Sequence, residues 1–272
     1  MQHTGTVTDP GPMNISNRFK TVYAVLMFLG LIGFVLTLMR DADRAWHGYL
    51  VSYFYFTSIA VGGLFFVAIQ HMTTAGWSVN IRRLVESLTA FLPIALVGGI
   101  LVVIGGSHLY EWLHADVVAA DELLQHKAPY LNRTFFIIRM VLFLGAWVWF
   151  AKILVGRSIK QDKTGDESLT LSLMKPSVIF ILIFALSYSL FSVDTMMSLQ
   201  PHWFSTIFGV YCFAGLFQTT MATTILLAAY FMKKGQLKGF VDENHMHDLG
   251  KFLFAFTVFW AYIAFSQYML IW

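Results

Sequence analysis

Seven stretches of about 20 mostly apolar residues, the length that carries a helix across a bilayer, follow one another through this chain. They fall at 19–39, 49–70, 88–106, 135–155, 177–199, 203–232 and 251–272. Hydrocarbon offers no hydrogen bonds to a peptide group, so a spanning segment must satisfy its own backbone, and an α-helix does so internally. The pattern predicts an all-α integral membrane protein, a bundle of seven transmembrane helices. Composition agrees, with 57% hydrophobic and 12% charged residues, against about 25% charged in soluble domains. Residues 1–18 read as a polar tail and 19–272 as one transmembrane domain. The last run reaches Trp272 with no polar residues after it, so the domain is expected to be truncated at its C-terminus, the first part of a longer bundle. Long connections are predicted at 107–134, 152–176 and 233–250. Within the first, 115–126 alternates apolar residues with Asp116, Asp121 and Glu122, as an amphipathic surface helix does.

Charge sets an orientation. With the amino terminus in the cytoplasm, 13 of the 18 Lys and Arg residues fall on the cytoplasmic side, in the tail and after the second, fourth and sixth helices. Four fall outside, and Arg139 lies within a helix. Excess Lys and Arg near helix ends marks the cytoplasmic side. The loops carrying His47, His108, His114 and His202 then face outward. Trp77, Arg82, Arg83 and Glu86 form a cytoplasmic cluster, with Glu86 one turn after Arg82, and read first as an interfacial anchor. The tail lacks the basic-then-apolar pattern of a cleaved signal peptide.

The single cysteine, Cys212, excludes an internal disulfide, a CxxC pair and a cysteine-ligated iron–sulfur cluster. None of the nine histidines falls in the middle of a span, where paired haem ligands would sit. A net charge of +3 spread over several loops gives no basis for nucleic-acid binding.

Ionisable groups inside a bilayer cost about 2.5–3.5 kcal/mol at helix centre on insertion scales, so each calls for a partner or a watery path. Arg139 lies about one turn inside the outer end of the fourth helix, and Asp194 lies at similar depth in the fifth. Opposite charges at matching depth predict an ion pair, which either locks packing or handles protons. On the fifth helix Ser187 and Asp194 share a face, with Tyr188 and Ser192 beside them. The sixth carries Tyr211, Gln218, Thr219, Thr220, Thr223 and Thr224, and the seventh Tyr262, Ser266 and Gln267. These groups trace a candidate hydrated seam, although hydroxyls in membrane helices commonly bond nearby backbone instead.

Three stretches carry a family likeness. Ser192-Val-Asp-Thr-Met-Met-Ser-Leu-Gln-Pro-His-Trp continues to Tyr211, Ala75-Gly-Trp-Ser-Val-Asn-Ile-Arg-Arg follows the second helix, and His247-Asp-Leu-Gly-Lys-Phe leads to Trp260-Ala-Tyr-Ile-Ala-Phe-Ser-Gln-Tyr. Together they resemble the membrane subunits of bacterial alternative complex III, of the ActF type, within the NrfD/polysulfide-reductase superfamily. The resemblance runs from the second helix to the end of the chain. It implies a ten-helix subunit in a bacterial inner membrane, of which these would be the first seven helices. It also implies a quinol:cytochrome c oxidoreductase in which partner iron–sulfur and cytochrome c subunits hold the clusters and haems, while membrane subunits handle menaquinol or ubiquinol and protons. No cofactor is expected on this chain itself, quinone apart. In quinol-oxidising relatives a His after the third helix and an Asp opening the fourth flank the quinol. The His has its counterpart at His108 in Ser107-His-Leu-Tyr, but Ala128-Pro-Tyr-Leu-Asn-Arg places Arg133 where the carboxylate belongs. A permanently charged arginine cannot take a proton from a quinol, which shifts the expectation from quinol oxidation toward proton conduction through Asp194, Arg139, Tyr188 and Gln218.

Two other classes compete. A secondary transporter would have broken helices in paired halves, and Pro93 in the third span has no evident match. A cytochrome b-like haem anchor would need histidine pairs within the spans.

Overall fold

The computed structural model describes residues 16–166 and 168–271. All of the 1–18 tail before Ser16, His3 included, lies outside the described residues, as does Trp272. The described residues are largely helical, and among them seven helical segments are long and apolar enough to cross a membrane: Asn17–Arg40, Ala42–Met72, Val79–Ile104, Arg133–Thr164, Ser168–Leu199, Phe208–Lys233 and Glu243–Leu270.

Local chemistry sets the ends of these segments. Helix α1 (Asn17–Arg40) starts where the Ser16 hydroxyl accepts from the Arg18 amide. Asp41 ends α1 in extended geometry and caps α2 (Ala42–Met72) by accepting from the Arg44 amide, so one residue makes the corner. The third span is divided. Helix α3 (Val79–Leu88) passes through a 3-10 turn, Thr89–Phe91, into α4 (Leu92–Ile104). Pro93 stands in the first turn of α4, where its missing N–H costs nothing. Short helices α5 (Gly106–Leu109), α6 (Ala115–Ala120) and α7 (Glu122–Lys127) follow. The amphipathic helix expected over 115–126 is thus two pieces. Asp121 is extended and accepts from the amides of Leu123 and Leu124, capping a new helix instead of continuing the old one.

Helix α8 (Arg133–Thr164) is capped by Asn132 and ends at Gly165, whose φ of 67° is left-handed. Helix α9 (Ser168–Thr195) begins almost at once, so the long connection expected over 152–176 is a correction. Lys, Arg and Gln sustain a helix in water as well as apolar residues do in lipid, and α8 continues past its apolar part. Pro176 sits inside α9 and removes the N–H that would bond the Ser172 carbonyl. The Arg157 guanidinium donates to that carbonyl at 3.0 Å in its place. A 3-10 turn, Met197–Leu199, leads to α10 (Phe208–Lys233), which starts five residues later than the apolar run suggested, and α11 (Glu243–Ile271) completes the chain.

The long helices alternate in direction. One end of the bundle carries Asp194 and helices α5 to α7, and the other carries Glu86 and the end of α8. Helix α2 is the hub, packed against α1, α3, α4, α9 and α10. Gly62 permits this, because a Cβ there would collide with Leu216 and Thr220 of α10. No residue of α1 is buried, and only Leu249 and Ile263 are buried among the described side chains of α11. Their apolar surfaces are suited to lipid or to another apolar helix.

Candidate functional site

Arg139 and Asp194 meet as the sequence predicts. In the second turn of α8, Arg139 directs Nε at Asp194 Oδ2 (2.6 Å) and Nη2 at Oδ1 (3.0 Å). Their side chains are 5% and 1% exposed, which makes this a desolvated bidentate pair. Such a pair holds only when the remaining polar atoms are satisfied as well. Nη1 donates to the Tyr130 carbonyl at 3.1 Å, and the Ser198 hydroxyl donates to the Asp194 carbonyl at 2.6 Å. The guanidinium carbon lies 3.9 Å from the Tyr130 ring centre and 4.3 Å from that of Phe135. Two aromatic faces therefore hold the cation in addition to the carboxylate.

Tyr110 and Tyr130 complete this end of the bundle. The Tyr110 hydroxyl donates to the Thr195 carbonyl at 3.1 Å. The Tyr130 hydroxyl is buried beside Asp194 without an aligned hydrogen bond. Burial, and after it the Asp194 charge, pushes both phenols above their usual range, so each remains a neutral donor. Neither tyrosine was a sequence candidate. Both lie in the irregular segment between α4 and α8, where no periodicity marks a residue as inward.

The other proton-path candidates are not joined to the pair. Tyr188 accepts from the Ser58 hydroxyl at 3.0 Å and donates to the Cys212 carbonyl at 3.4 Å, linking α9 to α2 and α10. Phe191, fully buried, stands one turn from Asp194 with its ring against Phe54, Trp147 and Tyr188. Ser187 accepts from the Trp147 indole at 2.9 Å. Gln218 lies apart, donating to Thr257 of α11 at 3.1 Å. Thr219, Thr220, Thr223 and Thr224 all donate to carbonyls one turn earlier in α10, and Ser266 does the same in α11. These threonine and serine hydroxyls of the candidate seam are thus locally satisfied, whereas Gln267 Oε1 is buried without a hydrogen-bond partner.

The quinone-site candidates part company. His108 is exposed and pairs through Nδ1 with Asp43 Oδ1 at 2.7 Å. Arg133, at the first position of α8, lines a hollow of about 470 Å³ with Ser107, Trp112 and Asn132, and His108 is not among its lining residues. Among the described residues no three His, Cys, Asp or Glu side chains converge as metal ligands do.

At the opposite end lies the second charged cluster, to which the structure adds Asp162 and Ser158 of α8 beside the expected Arg82, Arg83 and Glu86. Arg83 pairs with Glu86 Oε2 and with Asp162 of α8, and donates to the Ser158 carbonyl at 2.8 Å. Arg82 Nε stands 3.6 Å from Glu86 Oε1, too far for a hydrogen bond. Glu86 Oε1, Arg82 Nε, Ser158 Oγ and His71 Nε2 are buried without an aligned hydrogen bond, although the Ser158 hydroxyl stands beside the Glu86 carboxylate. Orphaned polar atoms in this number call for water or a ligand.

Compared with known proteins, the chain matches no family model and no curated protein.

Proposed function

We propose that this chain is a membrane subunit, without redox centres of its own, of a quinol:cytochrome c oxidoreductase of the alternative complex III type. On this reading it sits in a bacterial inner membrane with its amino terminus in the cytoplasm, and its share is proton transfer, quinone binding and assembly with iron–sulfur and cytochrome c partners. The motif resemblance supports the class, the distribution of Lys and Arg supports the orientation, and seven apolar helices support the multi-pass placement. The observation that carries the proton role is the buried Arg139–Asp194 pair at the ends of α8 and α9.

The chemistry follows from its geometry. Both Asp194 oxygens are engaged by the guanidinium, so the carboxylate accepts a proton only when the pair opens. Arginine does not give up its proton. It acts as a counter-charge, and the Tyr130 and Phe135 faces with the Tyr130 carbonyl retain it while Asp194 is neutral. The Tyr130 hydroxyl beside Asp194 is placed to donate to the carboxylate. Passage beyond Asp194 requires Phe191 and its ring neighbours to move, which makes the pair a gated station and not part of a standing wire.

Asp194→Asn, read as quinol oxidation and proton translocation together, tests the assignment. Lost translocation with electron transfer preserved is the expected result. No change in either returns the pair to packing, and isolation of the chain from membranes without iron–sulfur or haem partners ends the respiratory assignment.

A further inference from the structure

The segment between α6 and α8 meets the Arg139–Asp194 pair as a piece of its own. Asp121 opens it and Asn132 closes it, both in extended geometry, with α7 and a turn between them. The turn is bonded within itself. The Lys127 carbonyl accepts from the amides of Tyr130 (2.9 Å) and Leu131 (2.8 Å), and Asn132 Nδ2 donates to the carbonyls of Ala128 and Pro129, both at 3.1 Å. Lys127 and Tyr130 therefore move together. Tyr130 supplies the carbonyl and one of the rings that hold the Arg139 guanidinium, so the position of this piece decides whether the pair is closed.

The hold on the piece is light. Leu124 is the buried side chain of α7, and Leu131 is buried at the end of the turn. Two polar ties reach the turn that follows α9: Lys127 Nζ donates to the Pro201 carbonyl at 2.5 Å, and His202 Nε2 stands 2.8 Å from Asp121 Oδ2. The His202 side chain is 59% exposed, and an exposed tie of this kind breaks at little cost. That turn is in its own right fastened to the Asp194 end of α9, where the Ser198 hydroxyl donates to the Asp194 carbonyl.

We propose that residues 121–132 form a hinged cover on the Arg139–Asp194 pair, latched by Lys127 on the Pro201 carbonyl. The extended residues Asp121 and Asn132 are its hinges, and His202 steadies the first of them. Lifting the cover withdraws Tyr130 from Arg139. The guanidinium, short of a carbonyl and a ring face, then turns to water, and Asp194 is opened to the water at this end of the bundle. Phe191 and its ring neighbours keep the other side shut, so access comes from one side only. The cover supplies the opening that a proton needs at Asp194, and in that purpose it rests on the proton role proposed above.

The test uses the full chain with whatever assembly co-purifies, in mild detergent. Phenylglyoxal labels arginine, a water-soluble carbodiimide labels carboxylates, and mass spectrometry reads the two reagents at Arg139 and Asp194. Lys127→Met should raise both labelling rates about threefold, the scale of one exposed tie, whereas Lys127→Arg keeps the wild-type rates. An unchanged melting temperature shows that packing has survived. Lys127→Cys with His202→Cys, in a Cys212→Ser chain, makes the effect reversible. Unbridged, the pair labels faster than in the wild type; bridged by a reducible bis-thiosulfonate linker, it labels more slowly until reductant is added. Equal labelling in Lys127→Met and wild type, or in the bridged and unbridged forms, overturns the cover. Labelling suppressed by the bridge with proton translocation intact keeps the cover and overturns the proton role.

Discussion

The two ends of the bundle each bury a carboxylate against arginine, yet they are built in opposite ways. Around Asp194 the pairing is bidentate, the third guanidinium nitrogen has a carbonyl, and aromatic rings close the sides. Around Glu86 one arginine is divided between two carboxylates, a second stands out of hydrogen-bond range, and four buried polar atoms lack an aligned hydrogen bond. A closed pair resists change because nothing nearby can replace a lost member. An open cluster with unspent donors and acceptors can accommodate buried water. The same charges thus make a closed pair at one end and an open cluster at the other.

The largest effect should come from breaking the closed pair. Asp194→Ala strands Arg139 in a dry site and is expected to cost about 3–5 kcal/mol of stability, seen as a lowered melting temperature in detergent. Replacing both partners, Arg139→Met with Asp194→Leu, should restore much of that loss. If the double variant melts no higher than the single, the penalty lies elsewhere than in the unpaired charge. Glu86→Gln should cost less, about 1–2 kcal/mol, because Arg83 keeps Asp162 and the Ser158 carbonyl. A loss equal to that of Asp194→Ala would erase the contrast between the ends.

Solvated pairs give the lower limit. Asp43→Asn removes the contact to His108, whose partners are 72% and 43% exposed, and should shift stability by less than about 1 kcal/mol. Asp242 precedes α11 and accepts from the His245 amide and ring. These bonds draw its pKa from 3.8 to about 2. A depressed carboxylate stabilises above its unfolded value, so this contribution is whole above pH 4 and fades as pH falls from there toward 2. Chemical-shift titration of Asp242 checks it, and a midpoint near 3.8 would remove the cap.

Much of this was legible beforehand, but unevenly. Each of the seven apolar runs lies on a long helix, though with ends displaced by up to nine residues, because that signal is local and strong. The Arg139–Asp194 pair was legible for a different reason, since two lone charges at one depth in adjacent helices have few other partners. The extension of α8 to Thr164 was hidden because polar residues such as Lys160 and Lys163 suit a helix and a loop alike. Pro176 reads as a boundary until Arg157 is seen to serve the Ser172 carbonyl. The hydroxyls of α10 showed the spacing of a wet seam, yet each bonds its own helix one turn back, an outcome that spacing cannot distinguish. Tyr130 and Tyr110 came from an irregular segment with no period to read.

By itself the sequence determined the class of the chain: hydrocarbon permits helices, and seven stretches are long and apolar enough to cross it. It also determined that Arg139 and Asp194 would seek each other, because a charge in that solvent must be paired. Only the tertiary structure decided that one carboxylate is sealed and the other left open. That outcome depends on which loop folds over which helix end, and on whether a third and fourth partner arrive from segments remote in the chain.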